Sequence, residues 1–464
     1  MEEKIKNNSD IKARFFKPVN FLIILGAILL GFSFQIHWVL PILFVIVVPG
    51  IFIFFRMPEL GIYATLYGIV LMRGLLVATN VQRSLSAFIF IAVWSLAAAF
   101  LIRIKNNVNG FKFLDFGDIL FLILTLLFGL NIFRSTGYSY GVFKTGIYLF
   151  SAVIPYFAIY SIRLNKESFL KGPTAVILLG TLLICIALFD FTIRGVGSQE
   201  RYAVGGVGPI GFARSMGLAI IAAIISFEKN IAVIKKVLLL VVIFFAMFFI
   251  LLSASRGPFL AMLLTVLFYL VFLSDLKITV KILIVLVFLG IIAFVINSGF
   301  GFMVQRFTTI QGGNEVSSTA RFYIWYETLK HLLDKPILGY GTGGFTTLMT
   351  TSFKAWDIVY PHNIFLEFMI EHGIVGLSLL LILLTYGFIT SLWLLKAPIK
   401  NSTLIVGKFA MLLTLYGLIS AQVSSTIGGL RPFWIGFALL FSVKQIAQDE
   451  IKEDTSTNDR RLEE

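Results

Sequence analysis

Residues 237–273 read VLLLVVIFFAMFFILL-SASRG-PFLAMLLTVLFYLVFL, and this stretch decides the fold. Two uncharged apolar runs flank a five-residue break, Ser253 to Gly257. Each run approaches the roughly 20 residues that a helix needs to cross a bilayer core. A chain that leaves one run and enters the next after so short a turn makes a helical hairpin. Only helices or closed barrels satisfy every backbone amide inside lipid. The turn places Arg256 at the edge of the bilayer, where a guanidinium is costly unless it meets an anion, water or a headgroup.

The same pattern recurs along the whole chain. Its 464 residues are 58% hydrophobic and 13% charged, with a mean hydropathy of +0.94, more apolar surface than a soluble domain can bury. Candidate spans begin near Phe21, His37, Gly61, Ser86, Phe116, Gly146, Thr174, Gly208, Val237, Gly257, Ile282, Ile374, Leu404 and Phe433. The expected fold is all-α, a polytopic transmembrane helical bundle of about 12–14 spans. The expected divisions are a cytoplasmic N-terminal segment (1–20), transmembrane helices (21–297), an extracytoplasmic loop (298–362), a short helix with the last spans (363–446) and a cytoplasmic tail (447–464). The segment before Phe21 is too polar for a cleaved signal peptide. The polar, mixed-charge tail after Lys444 is expected to end in disorder. One cysteine, Cys185, excludes a disulfide framework within the chain.

The formal charge of +14 reads as a basic membrane surface with added anion-binding groups, not as a nucleic-acid interface. Short basic loops such as Arg103-Lys105-Lys112 and Lys229-Lys235-Lys236 fall on one side with both termini, which the positive-inside rule makes cytoplasmic. On that side lie 18 Lys and 6 Arg; on or near the other lie 10 Arg and only 4 Lys. Orientation needs charge alone, whereas the guanidinium fork grips a phosphate or carboxylate with two bonds. The outer face therefore reads as built to hold an anion, with Arg snorkelling at helix ends as the plainer alternative.

One long connection, from about Asn297 to Pro361, lies on that outer side. It contains a helix around Arg321, with Phe322, Trp325, Leu329 and Leu332-Leu333 at helical spacing, expected to lie on the membrane or the bundle. Pro336 follows, and Gly339 to Gly344 are expected to form a tight turn with exposed amides. Beyond it, His362 sits between Pro361 and Asn363, a good N-cap for a short helix ending before Gly373. An imidazole there suits a general base or a donor to an anion; a structural, hydrogen-bonded His is the alternative. Glu367 could orient His362 or a substrate hydroxyl, or be a solvated interfacial acid, and Glu371 lies one turn further on. Arg201 and Arg214 bracket the Gly-rich segment 205–211, whose amides could also hold phosphate oxygens. Asp190 could pair with Arg194 at helical spacing. No Asp-x-Asp pair, phosphate loop or metal-ligand spacing among the four histidines is present, which disfavours nucleotide sugars, ATP hydrolysis and zinc.

Taken in order, Ser255-Arg256-Gly257, Arg321 with Trp325, Pro336, Gly339-Tyr340-Gly341, His362-Asn363 with Leu366, and Glu371-His372-Gly373 resemble the O-antigen ligase/polymerase family of bacterial membrane glycosyltransferases. The resemblance implies a GT-C-like fold, no cofactor or metal, and a donor glycan carried on undecaprenyl pyrophosphate. It implies an acceptor hydroxyl on lipid A-core, another glycan or a protein. The active site would then face outward from the bacterial inner membrane. By motif, Arg256 and His362 match the family's functional arginine and histidine. Arg201, Arg214 and Arg321 are further candidates for the pyrophosphate, and Asn363 and Glu367 for orientation. A polymerase extending the glycan is the alternative within the family. A lipid-linked glycan flippase is the alternative of another class, disfavoured because the polar constellation lies at one face beside a long loop.

Overall fold

A computed structural model describes residues 53–77, 86–195, 201–204, 208–229, 231–297, 316–352, 360–424 and 426–463, and the account below concerns the compact unit Glu59–Glu464. The spans expected near Phe21 and His37, the N-terminal segment, residues 205–207 of the Gly-rich segment, and residues 298–315 and 353–359 of the long loop lie outside the described residues. In chain order the α-helices are α1 (Glu59–Val77), α2 (Ser86–Lys105), α3 (Phe116–Leu130), α4 (Tyr138–Tyr148), α5 (Ile154–Ser161), α6 (Lys166–Leu170), α7 (Gly172–Arg194) and α8 (Pro209–Ile225). They continue as α9 (Val233–Leu252), α10 (Arg256–Phe268), α11 (Ile278–Asn297), α12 (Val316–His331), α13 (Phe345–Ser352), α14 (Ile364–Lys396), α15 (Asn401–Ser424) and α16 (Arg431–Glu463). A π turn at Leu149–Val153 joins α4 and α5 into one span, Tyr138–Ser161.

Among the described residues, nine helices are long and apolar enough to cross a membrane, and no strand occurs. The protein is a polytopic membrane helical bundle. Large apolar side chains such as Phe189, Val271 and Phe272 stand exposed along the spans, as a lipid environment requires. The core sits on α8, which packs against α7, α9, α10 and α15 and is buried from Phe212 to Ile225 apart from Arg214. With lipid outside as apolar as the interior, small residues decide how closely helices meet. A Cβ on Gly436 of α16 would lie 2.6 Å from the Thr414 backbone nitrogen, so α15 and α16 touch nearly backbone to backbone.

Two expectations change. The tail after Lys444 is helical through Glu463 among the described residues, not disordered. Glu450 explains its start: it accepts from Thr403 Oγ1 (2.7 Å) and the Lys400 amide (3.1 Å), tying α16 to the beginning of α15. The amphipathic helix α12 exists but divides its apolar residues. Ile324, Trp325 and Leu332 pack on Tyr340, Phe345 and Ile370, whereas Phe322, Leu329 and Leu333 point outward.

Candidate functional site

The short links between α8, α9 and α10 make them run alternately up and down, which brings the N-termini of α8 and α10 to the same end of the bundle. The start of α14 and the end of α3 arrive there too. The site is built at this end.

Its frame is a helix broken on purpose. The carbonyls before Gly373 (φ 64°, ψ −161°) would lose their helical partners at the break. The segment 336–341 supplies replacements. The Tyr340 amide donates to Ile370 O (2.9 Å) and the Gly341 amide to Glu371 O (3.0 Å), while the Ile374 amide donates back to Pro336 O (2.8 Å). Both glycines at the contact are obligatory: a Cβ on Gly339 would lie 2.5 Å from the Glu371 carbonyl carbon, and one on Gly373 2.3 Å from that of Ile337, each at positive φ. Asn131, just past α3, brings its Nδ2 to Leu338 O (3.0 Å), Glu371 O (2.9 Å) and His372 Nδ1 (3.1 Å). The amides of this turn, expected to be exposed, are thus taken up in the brace. They hold protein, not phosphate.

His362 lies at the other end of the short segment, just outside the span that begins at Ile364. It adopts φ 59°, a left-handed conformation that persists in a non-glycine residue only where the surroundings over-determine it. Three contacts do so. Asn363 caps the helix, accepting from the Phe365 and Leu366 amides (3.0 and 3.1 Å), Trp325 Nε1 donates to Pro361 O (2.8 Å), and the Tyr360 ring lies tilted against the imidazole, ring centres 4.2 Å apart. Burial first, then Arg321 and Arg214, pull the imidazole from its usual 6.5 down to about 4, so it is neutral at pH 7. Burial also pushes the Tyr360 hydroxyl up, with Glu367 adding to the effect and Arg214 and Arg321 opposing it.

The candidates therefore fall into three groups. Arg214 and Arg321 bear on His362 and Tyr360. Arg201 clasps the α9–α10 hairpin turn, donating from Nε to Ser253 O (3.1 Å) and from Nη2 to Ser255 Oγ (2.7 Å), and so stands beside half-buried Arg256 at the first position of α10. Ala254 in this turn is also left-handed (φ 47°), a second strained non-glycine residue in a motif turn. Glu367 forms part of a third group and is not a solvated acid. It is fully buried, with Lys144 Nζ of α4 at 2.5 Å, and the same ammonium lies 2.7 Å from Glu371. Asp190 accepts from the Tyr202 hydroxyl (3.2 Å), while the Arg194 side chain lies outside the described residues.

Residues 238–381 match the family model described as O-antigen ligase. Over this segment the chain resembles the O-antigen ligase family. It is also similar to a Rickettsia typhi protein named as a polysaccharide ligase, 28% identical over 139 residues that cover 28% of this chain and 33% of the relative. The chain thus spans about a third of the length of that curated relative. The matched segment contains Arg256, Arg321, His362 and the Gly339–Gly373 brace. Arg201, Arg214, Asn131 and Lys144 come from outside it: Arg214 joins Arg321 at His362, Arg201 holds the turn before Arg256, and Asn131 and Lys144 meet residues 367–372. Sequence reasoning missed Asn131 and Lys144. The signal for Lys144 was available, since two acids one turn apart on an otherwise apolar helix call for a buried cation.

Proposed function

We propose that the protein is a membrane glycosyltransferase that moves a glycan from undecaprenyl pyrophosphate to an acceptor hydroxyl at the outer face of the bacterial inner membrane, as an O-antigen ligase does. The observation that carries this reading is a neutral imidazole, held in a strained conformation at one end of the bundle, with two guanidinium groups close enough to depress its pKa. Such an imidazole is a proton acceptor standing where a diphosphate would be drawn.

The donor's pyrophosphate binds Arg256, Arg201, Arg214 and Arg321, whose forks match its oxygens. The acceptor hydroxyl, on lipid A-core, another glycan or a protein, faces the anomeric carbon. His362 takes its proton as the oxygen attacks, and the bond from the anomeric carbon to the pyrophosphate breaks. The leaving diphosphate departs with the bonding pair, its growing charge met by the arginines. A single displacement of this kind inverts the anomeric centre and asks no metal of the protein. Bound diphosphate also offsets the two cations around His362, raising its pKa and making it a better base when the donor is present.

Reconstituted protein, carrier-linked glycan and candidate acceptors test the reading. Arg256→Ala should lower turnover by about 10²–10³-fold, the loss typical of one oxyanion-binding donor. Arg256→Lys should remain badly impaired, because a point charge lacks the fork. Wild-type turnover by the Lys variant, or translocation of the lipid without glycan transfer, overturns the proposal.

A further inference from the structure

The segment that carries His362 is short, covering residues 364–372 between the Asn363 cap and the Gly373 break. A continuous helix would take its direction from α14, but the break removes that control. The Asn131 brace fixes only the segment's C-terminal end. Its middle is held by the packing of Ile370 on Ile324, Tyr340 and Phe345 and, on another side, by charge. Glu367 and Glu371, one turn apart, both point at Lys144 Nζ, and all three side chains are no more than 2% exposed. Two carboxylates on one ammonium is an expensive way to fill space, since an apolar trio of the same volume would pack there without the desolvation penalty. What the ions supply is direction, because at low dielectric a displaced charge loses far more than a displaced methyl group.

The lock also reaches further. Glu367 Oε1 lies 3.4 Å from the Ile427 amide, in the 3-10 turn Ile427–Gly429, whose Gly428 carbonyl accepts from Ser151 Oγ (2.6 Å) in the same span as Lys144. Tyr140, one turn before Lys144, is within electrostatic reach of both carboxylates and of Tyr360, whose ring lies against His362. We propose that Lys144 is a positioning residue: by bridging Glu367 and Glu371 it sets the direction of residues 364–372 and thereby the aim of His362. This rests on the transferase reading for its effect on rate, but not for its effect on the segment.

Lys144→Met leaves two buried carboxylates uncompensated and should lower the thermal midpoint sharply. The triple variant Lys144→Met/Glu367→Gln/Glu371→Gln removes the charges together and should recover that midpoint. Hydrogen–deuterium exchange over residues 360–372 should nevertheless be faster in the triple variant than in the wild type. Its kcat should fall by about 10²-fold, the effect of misplacing a reacting group by an ångström, with KM for the carrier-linked donor unchanged. Wild-type exchange and kcat in the triple variant overturn the proposal and reduce the trio to packing. If the wild type transfers no glycan at all, the transferase reading fails, while faster exchange still establishes the lock. Should the triple variant not fold, Glu371→Gln alone is read in the same way, and unaltered exchange there overturns the lock.

Discussion

At the end of the bundle where α3 begins, Arg163 is forked onto Asp118 and Lys444 is paired with Asp115. At the opposite end Lys144 faces two carboxylates, and Arg214 and Arg321 crowd an imidazole. Both ends hold buried or half-buried charges close to lipid. The first sets Arg163 and Lys444 on acids, and its neighbours extend the pairing: Tyr156 donates to Asp118 (2.7 Å), and Lys408 meets Glu228 (3.0 Å) nearby. The second sets two carboxylates on one ammonium and two guanidinium groups beside an imidazole, and its motif turns hold Ala254 and His362 left-handed, as the first end holds Asn107. Matched charge maintains a fold. Guanidinium groups beside a neutral imidazole, kept in place by a frame of glycines and caps, are what the proposed transferase site requires.

The comparison breaks most plainly if the two ends respond alike to mutation. His362→Ala should lower turnover by about 10²–10⁴-fold, the range for a general base, while leaving the thermal midpoint in detergent close to wild type. Asp118→Ala should do the reverse. Stranding Arg163 in the interior should cost about 3–5 kcal/mol of stability, with turnover per folded molecule preserved. Loss of turnover without loss of stability in Asp118→Ala would erase the distinction.

Gly373→Ala tests the frame itself. Its Cβ would collide with the Ile337 carbonyl at a positive φ, so the brace must open and both stability and turnover should fall, by more than the roughly 1 kcal/mol of an ordinary Gly-to-Ala strain. The pH dependence sharpens the site's side of the comparison. With His362 depressed from 6.5 to about 4 in the folded protein, kcat/KM should hold down to about pH 5 and fall with an apparent pKa near 4. The limb in kcat should lie higher, because bound diphosphate offsets the cations. The same depression has a sign for stability. The unfolded chain binds the proton first, so this group's contribution is complete above pH 6.5 and is lost as pH falls toward 4. An acid limb near 6.5 in kcat/KM would mean that neither burial nor the arginines depress His362. The smallest effect belongs to Asn363→Ala, where loss of the cap should cost about 1 kcal/mol and slow turnover modestly.

Much of this was legible along the chain because hydropathy is a local property. The Ser253–Gly257 hairpin, the start of α7 near Thr174, the helix of Arg321, the Asn363 cap and the break at Gly373 each follow from residues within a turn or two of one another. What could not be read was the use of the glycines from Gly339 to Gly344. Exposed amides and amides consumed by a distant helix have the same sequence, and only the approach of residues 370–375 tells them apart. Glu367 stood open between an orienting acid and a solvated one for the same reason, since its solvation depends on whether Lys144 comes to meet it. The helical tail was a third case, stabilised by contacts of Glu450 with the start of α15 that no local window contains.

The chain by itself determined that this is a bundle of membrane helices with arginines and one histidine gathered in motif turns, since burial in lipid is dictated by the apolar content of each run. Only the tertiary structure decided which of those groups meet. Electrostatic partners such as Lys144 with Glu367, or Asn131 with Glu371, are separated by more than 200 residues, and Coulomb attraction depends on distance in space, not on position along the chain.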